Sequence, residues 1–180
     1  MSDTGLPLVL DLFSGTGSAT QPFVECGKHR VVRIDNDPNR RPDVLADVRD
    51  LSVAEFLPDF VWASPPCTEY SYVRTYNKHT QQRYSYAPDL SAWASARELI
   101  DGWGCHYVVE NVLGAQRSWG APAYRFGPWC LWTDLRLSDP GSVPNKSRLV
   151  WDPRYPTTRR TAVIPRVVAE AVHRAVCEGP

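Results

Sequence analysis

Leu8-Val9-Leu10-Asp11-Leu12-Phe13-Ser14-Gly15-Thr16-Gly17-Ser18 is the stretch whose reading decides the architecture. Leu8 to Leu12 is a short apolar run bounded by a turn, the pattern of a buried strand. Gly15 and Gly17 then allow a tight turn or the close approach of a ligand to the backbone. From Ser18 to Cys26 the spacing is weakly helical and stops at Gly27. A strand, a glycine turn and a helix in that order open an α/β sheet, and the helix start offers free amide donors to a ligand.

The alternation continues downstream. Val31–Ile34 reads as a second strand ending in Asp35-Asn36-Asp37-Pro38, and Val44–Ala46 as a third before Asp47. Phe60–Ala63 is a fourth, halted by Pro65-Pro66, and Tyr107–Val109 a fifth, ending at Glu110-Asn111. Leu90 to Trp103 has helical length, with Asp89-Leu90-Ser91 as its start and Gly102 and Gly104 as its stop. Short strands are expected near Cys130–Trp132 and Ser147–Val150, and Pro165 to Cys177 reads as a closing amphipathic helix with proline in its first turn. The expectation is one α/β domain over residues 1–180, with a mostly parallel, doubly wound sheet. In such sheets ligands bind at the carboxyl ends of the strands. Here Asp11 to Gly17, Asp35, Asp47, Ser64 to Cys67 and Glu110-Asn111 gather at those ends.

Composition narrows the classes. The chain has 180 residues, 43% hydrophobic and 22% charged, with 20 acidic and 20 basic side chains. That balance fits an ordinary globular protein and gives no global signature of nucleic-acid binding, so such contact must come from a local patch. The N-terminus lacks a signal-peptide pattern, and no run approaches the roughly 18 apolar residues of a membrane span. The five cysteines, Cys26, Cys67, Cys105, Cys130 and Cys177, form no Cys-x-x-Cys pair. That spacing argues against a disulfide framework or a metal site, and for a reduced, cytoplasmic setting.

Two sets of residues carry chemistry. At the first strand end, the Gly15–Gly17 turn stands in register with Asp35, whose carboxylate can accept hydrogen bonds from a ribose diol or simply close a turn before Pro38. The missing full Gly-x-Gly-x-x-Gly and the missing Walker lysine argue against NAD or ATP. At the fourth strand end, Cys67 follows two prolines that fix its backbone and aim its thiol. Cys26, Cys105 and Cys177 read instead as inert thiols. A Cys67 thiolate could attack an electron-poor ring carbon while Glu110, at a neighbouring strand end, protonates the adjacent ring nitrogen.

These segments together resemble the cytosine-5 DNA methyltransferase family. Asp11-Leu-Phe-Ser-Gly-Thr-Gly17 looks like its first motif, Asp35-Asn36-Asp37 its second and Asp47-Val48 its third. Ser64-Pro-Pro-Cys67 resembles the nucleophile motif, Glu110-Asn111-Val112 the Glu-Asn-Val motif, and Ala162-Val163-Ile164-Pro165 the last motif, which folds back against the cofactor. The order is the family's unpermuted order and spans nearly the whole chain.

The resemblance implies a Rossmann-like, S-adenosylmethionine-dependent methyltransferase fold. It implies cofactor contacts from Phe13, Ser14, Gly15, Gly17, Asp35, Asn36, Asp47, Val48, Pro66 and Val163, with Asp35 at the ribose and Asp47 at the adenine amino group. Catalysis would rest on Cys67, Glu110 and Arg148, acting on a cytosine flipped out of its stack. Asn111 would brace the turn that holds Glu110.

The stretch from Tyr70 to Ala87 is basic and tyrosine-rich without an acidic residue, so Arg74, Lys78, Arg83, Tyr72 and Tyr76 suit phosphates and exposed bases. In the family this segment is the loop that closes over the flipped base. Three departures stand out. Thr68 replaces the usual glutamine and Ser64 a glycine, only Arg148 matches the Gln-x-Arg-x-Arg motif, and about a dozen residues separate Arg148 from Ala162 where the family carries a large target-recognition region. Low sequence specificity, or a partner subunit that supplies recognition, is therefore expected, and the substrate could equally be single-stranded DNA or a nucleotide. The other open readings are an exocyclic-amino DNA methyltransferase, suggested by Ser64-Pro65-Pro66, and a catalytically degenerate DNA-binding or regulatory subunit.

Overall fold

The computed structural model describes residues 5–70, 76–77, 82–83, 88–143 and 163–179. Its centre is a seven-stranded sheet of β1 (Leu8–Leu12), β2 (Arg30–Asp35), β3 (Val44–Leu45), β4 (Phe60–Ala63), β7 (His106–Asn111), β8 (Tyr124–Phe126) and β9 (Trp129–Thr133). The strand order is β3-β2-β1-β4-β7-β9-β8. β3, β2, β1, β4 and β7 run parallel, while β9 is antiparallel to both β7 and β8. A separate antiparallel pair joins β5 (Tyr76–Asn77) to β6 (Gln82–Arg83). Helices α1 (Gln21–Cys26), α2 (Ser91–Trp103), α3 (Gln116–Trp119) and α4 (Arg166–Glu178) complete the described elements.

Strand-side alternation builds two cores. Leu8, Leu10 and Leu12 of β1, with Val61 and Ala63 of β4 and Val109 of β7, pack against Leu99 and Ile100 of α2. Val9, Phe60, Trp62 and Val108, the intervening residues, pack on the other face against Phe23 of α1 and Val168 and Val172 of α4. Both faces of the central strands are thus dry, which is why β1 and β4 read as continuous apolar runs rather than as alternation. Phe60 and Trp62 are fully buried, and truncating either to alanine would cost about 3–5 kcal/mol. From β1 the chain steps outward to β2 and β3, then returns to the other side of β1 for β4. That reversal between β1 and β4 opens the crevice where such sheets bind ligands. This is the Rossmann-like, mostly parallel, doubly wound α/β fold that the family resemblance implies.

Differences from the sequence reading are local. Glu110 and Asn111 lie within β7, which runs on because β9 pairs with it, Glu110 with Leu131 and Asn111 with Cys130. Gly102 sits inside α2, where a Cβ would stand 2.6 Å from Val53 Cγ2, and Gly104 alone supplies the left-handed helix end at φ 63°. β8 escapes a periodicity argument because Tyr124-Arg125-Phe126 is too short to show one. The strand expected at Ser147–Val150 lies outside the described residues. Among the described residues no helix is long and apolar enough to cross a membrane.

Candidate active site

The turn after β1 is pinned by the end of β2. Phe13 adopts a left-handed conformation at φ 59°, which costs a side-chain-bearing residue roughly 1–2 kcal/mol. The surrounding hydrogen bonds hold it there. Ser14 N–H donates to the Ile34 carbonyl at 3.1 Å and Gly17 N–H to the Ser14 carbonyl at 2.7 Å. Gly15 N–H donates to Asp35 Oδ2 at 2.8 Å, and Asp37 N–H to Asp35 Oδ1 at 2.9 Å. Asp35 therefore holds the glycine turn with one carboxylate oxygen and its own turn after β2 with the other. Gly17 is favoured by its left-handed φ of 70°, and a Cβ there would also lie 2.5 Å from Cζ of Arg33, a neighbour that sequence spacing does not reveal and that would have to shift.

Beneath this turn lies a buried acid. Asp11 is 1% exposed, and its Oδ2 accepts a 2.6 Å hydrogen bond from the Thr20 hydroxyl. Burial pushes its pKa up to about 7, against the opposing pull of the Thr20 hydrogen bond and the Arg33 charge. Asn36 and Asp47, at the ends of β2 and β3, meet directly, with Asn36 Nδ2 donating to Asp47 Oδ2 at 3.2 Å. Asp47 also accepts from Arg49 Nη2 at 2.6 Å, Arg49 Nε at 2.9 Å and Arg49 N–H at 3.0 Å. The side-chain hydrogen bond from Arg49 holds its carboxyl well below the usual range despite partial burial. Asp47 is thus an acceptor-only group, and Val48 beside it is buried.

The Pro65-Pro66-Cys67 turn is held from below and from the side. Ser64 N–H donates to the Leu12 carbonyl at 3.1 Å, and Trp62 Nε1–H donates to Ser64 Oγ at 3.0 Å. Pro65 is buried and Pro66 exposed; half-buried Cys67 opens a single helical turn, Cys67–Glu69, closed by Tyr70 N–H on the Cys67 carbonyl at 3.1 Å. On the adjacent parallel strand, Glu110 is 6% exposed and Asn111 1%. Asn111 Nδ2 donates to the Pro65 carbonyl at 2.9 Å, while its Oδ1 accepts from Val112 N–H at 2.8 Å. Asn111 therefore braces its own turn, as expected, and also clamps it to the Pro-Pro-Cys turn. Gly114 completes the clamp: a Cβ there would fall 2.0 Å from the Tyr70 carbonyl oxygen. Behind it Tyr70, Trp93 and Trp132 surround Trp119, with ring centroids 4.8, 4.2 and 5.0 Å from it.

The last segment also reaches the glycine turn. Ile164 N–H, next to half-buried Val163, donates to Ser18 Oγ at 3.0 Å, and Arg166 Nη2 pairs with Glu25 Oε2 at 2.7 Å. Arg148, Arg74, Lys78 and Tyr72 lie outside the described residues, as do the side chains of Tyr76 and Arg83, whose backbones pair across β5 and β6. Sequence reasoning missed Ser18, Thr20, Arg33 and Gly114. The two hydroxyls resemble ordinary helix-start residues, and nothing in the sequence near Gly114 foretells its contact with Tyr70.

The described strand ends therefore bring Phe13, Ser14, Gly15, Gly17, Asp35, Asn36, Asp47 and Val48 to one side of the crevice, and join the Cys67 turn to the strand end that bears Glu110. No protein-family model matches this chain, and no curated protein matches it. Among solved structures, that of the Entamoeba histolytica methyltransferase EhMeth is similar to it over 63% of this chain, at 17% identity and a TM-score of 0.46. The similar part spans 40% of that chain's length, well short of two-thirds.

Proposed function

We propose that this chain transfers a methyl group from S-adenosylmethionine to carbon 5 of cytosine in DNA, with Cys67 as the covalent nucleophile and Glu110 as the acid. The observation that carries this reading is the 2.9 Å hydrogen bond from Asn111 to the Pro65 carbonyl. It ties the rigid cysteine turn to the strand end bearing Glu110, so the two groups are held at adjacent strand ends as paired catalysis requires. The cofactor side fits the donor. Around a Cβ at Gly15 the only near atom is the Phe13 carbonyl oxygen at 3.8 Å, so the loop surface is uncrowded there. The ionised Asp47 has the acceptor chemistry an adenine amino group needs, once that group takes the place of Asn36 or Arg49 on it. When bound, S-adenosylmethionine supplies an electrophilic methyl group on its sulfonium.

The work of the chain's own residues is then as follows. Cys67 sulfur forms a bond to cytosine carbon 6 while Glu110 gives a proton to ring nitrogen 3, which leaves carbon 5 electron-rich. After methylation the carbon 5 proton leaves to solvent, the double bond re-forms as the carbon–sulfur bond breaks and frees the Cys67 thiolate, and nitrogen 3 returns its proton to Glu110. Arg148 would help hold the base, and Arg74, Lys78, Arg83, Tyr72 and Tyr76 would contact phosphates and bases around it. Incubation with S-adenosylmethionine and DNA carrying 5-fluorocytosine tests the scheme, because fluorine cannot leave as the proton does and the adduct is trapped. The expected result is a covalent protein–DNA species that is absent in Cys67→Ala. Methylation of an exocyclic amine without an adduct would establish the amino-methyltransferase reading instead. Cofactor and DNA binding with no transfer would establish a degenerate subunit.

A further inference from the structure

Away from the strand-end crevice, Cys26 at the end of α1 and His29 just before β2 meet His173 of α4. One ligand atom from each of the three lies within 4.8 Å of the others. Cys26 Sγ is 3.3 Å from His29 Nδ1, and Cys177 Sγ, one turn along α4, is 3.4 Å from His173 Nε2. With metal–sulfur and metal–nitrogen bonds of about 2.3 and 2.0 Å, neighbouring ligands around a tetrahedral zinc ion stand about 3.5 Å apart. Both sulfur–nitrogen separations match that edge, though Cys177 stands outside the three-residue cluster, so its exposed side chain has to turn inward to supply the fourth ligand.

The surroundings also suit a metal. Phe23 packs edge-on against both imidazoles, at 5.2 Å from His29 and 4.8 Å from His173, and fixes their orientation. The two rings stand 5.9 Å apart at 73°, so they are splayed rather than stacked. Lys28 N–H donates to Cys26 Sγ at 3.5 Å, the outer-shell support a ligating thiolate receives in a tight Cys-x-x-His turn. The sequence reading dismissed a metal because it sought paired cysteines. The pattern present is instead Cys26-x-x-His29 with His173-x-x-x-Cys177, and the last two lie four residues apart on one face of a helix.

We infer that Cys26, His29, His173 and Cys177 form a tetrahedral site for a zinc-class divalent metal ion that staples α4 to the α1–β2 corner. Binding replaces the two thiol protons, which leave to solvent, and uses one neutral nitrogen from each imidazole. No redox step is involved. The staple fixes the helix whose leading segment, through Ile164, reaches Ser18 beside the glycine turn.

The test uses the full chain, stripped with chelator and titrated with Co2+ and Zn2+ separately. Cobalt should give the intense visible bands of a tetrahedral site with thiolate charge transfer, saturate at one ion per chain, and be displaced by zinc. Cys177→Ser, at an exposed position, should weaken the charge-transfer band, and Cys26→Ser should abolish the tetrahedral spectrum while circular dichroism confirms folding. Zinc should raise the Tm of the wild type and not that of Cys26→Ser. A folded wild-type chain that gives only the weak bands of octahedral cobalt, or no saturable uptake, would overturn the site and leave the two contacts as thiol–imidazole hydrogen bonds.

Discussion

Asp11 is buried at the centre of the sheet, and its titration should be visible in the stability of the whole molecule. Its folded pKa, about 7, lies above the ordinary 3.8. Between those values the folded chain keeps a proton that the unfolded chain gives up, so this residue favours the fold at low pH. The advantage is complete below pH ~4, falls as pH rises, and is gone above pH ~7, a swing on the order of 4 kcal/mol. Asp11→Asn, which keeps an acceptor for Thr20, should therefore gain on the wild type as pH rises from 5 to 8 in urea unfolding; an unchanged difference would contradict the account. Glu110 gives a second prediction at this scale. Glu110→Gln should leave Tm within a degree or two and cut methyl transfer about 10²–10⁴-fold, the usual worth of a positioned acid. The residues of the proposed chemistry stand out in the sequence because turns of glycine and proline advertise them. Their partners were not: Arg33 under Gly17 and Thr20 on Asp11 lie across folded segments, and only their meeting makes them special.

The hinge of the candidate site at the level of elements is the pair of turns after β4 and β7. Asn111→Ala would leave the buried Pro65 carbonyl without its donor, at a cost of about 1–3 kcal/mol. Gly114→Ala is the sharper probe. Its methyl group would fall on the Tyr70 carbonyl, a backbone atom that cannot swing aside, so the two turns must part. The expected outcome is destabilisation of about 1–3 kcal/mol and a large loss of methyl transfer, with S-adenosylmethionine affinity by calorimetry nearly intact. Equal loss of affinity would mean that the clamp serves the cofactor side instead. β1 and β4 could be read from sequence because burial on both faces leaves an uninterrupted apolar run. The true extent of β7 could not, since it depends on the antiparallel partner β9. That partner's pairing is non-local and leaves no periodic mark on Glu110 or Asn111.

At the scale of the molecule, the described residues build chiefly the sheet and its two covers. About a dozen residues lie between Arg148 and Ala162, too few to build a surface that reads many base pairs in a major groove. DNA selected from a random pool by the isolated chain should accordingly share no long, strict consensus; recovery of one would refute the prediction, and restoration of one by a second protein would identify the source of recognition. Doubly wound architecture was legible at this scale because strand and helix patterns alternate along the chain. The Cys26, His29 and His173 cluster was not, since it is assembled from opposite ends of the sequence. The bond from Ile164 to Ser18 spans 146 positions. During synthesis, then, the glycine turn gains its Ile34 and Asp35 partners early, while the Ser18 contact waits for residue 164 to emerge. A chain cut before residue 164 would have its strands available for pairing yet lack the Ser18 contact, so tight cofactor capture should report the arrival of that segment rather than the formation of the sheet.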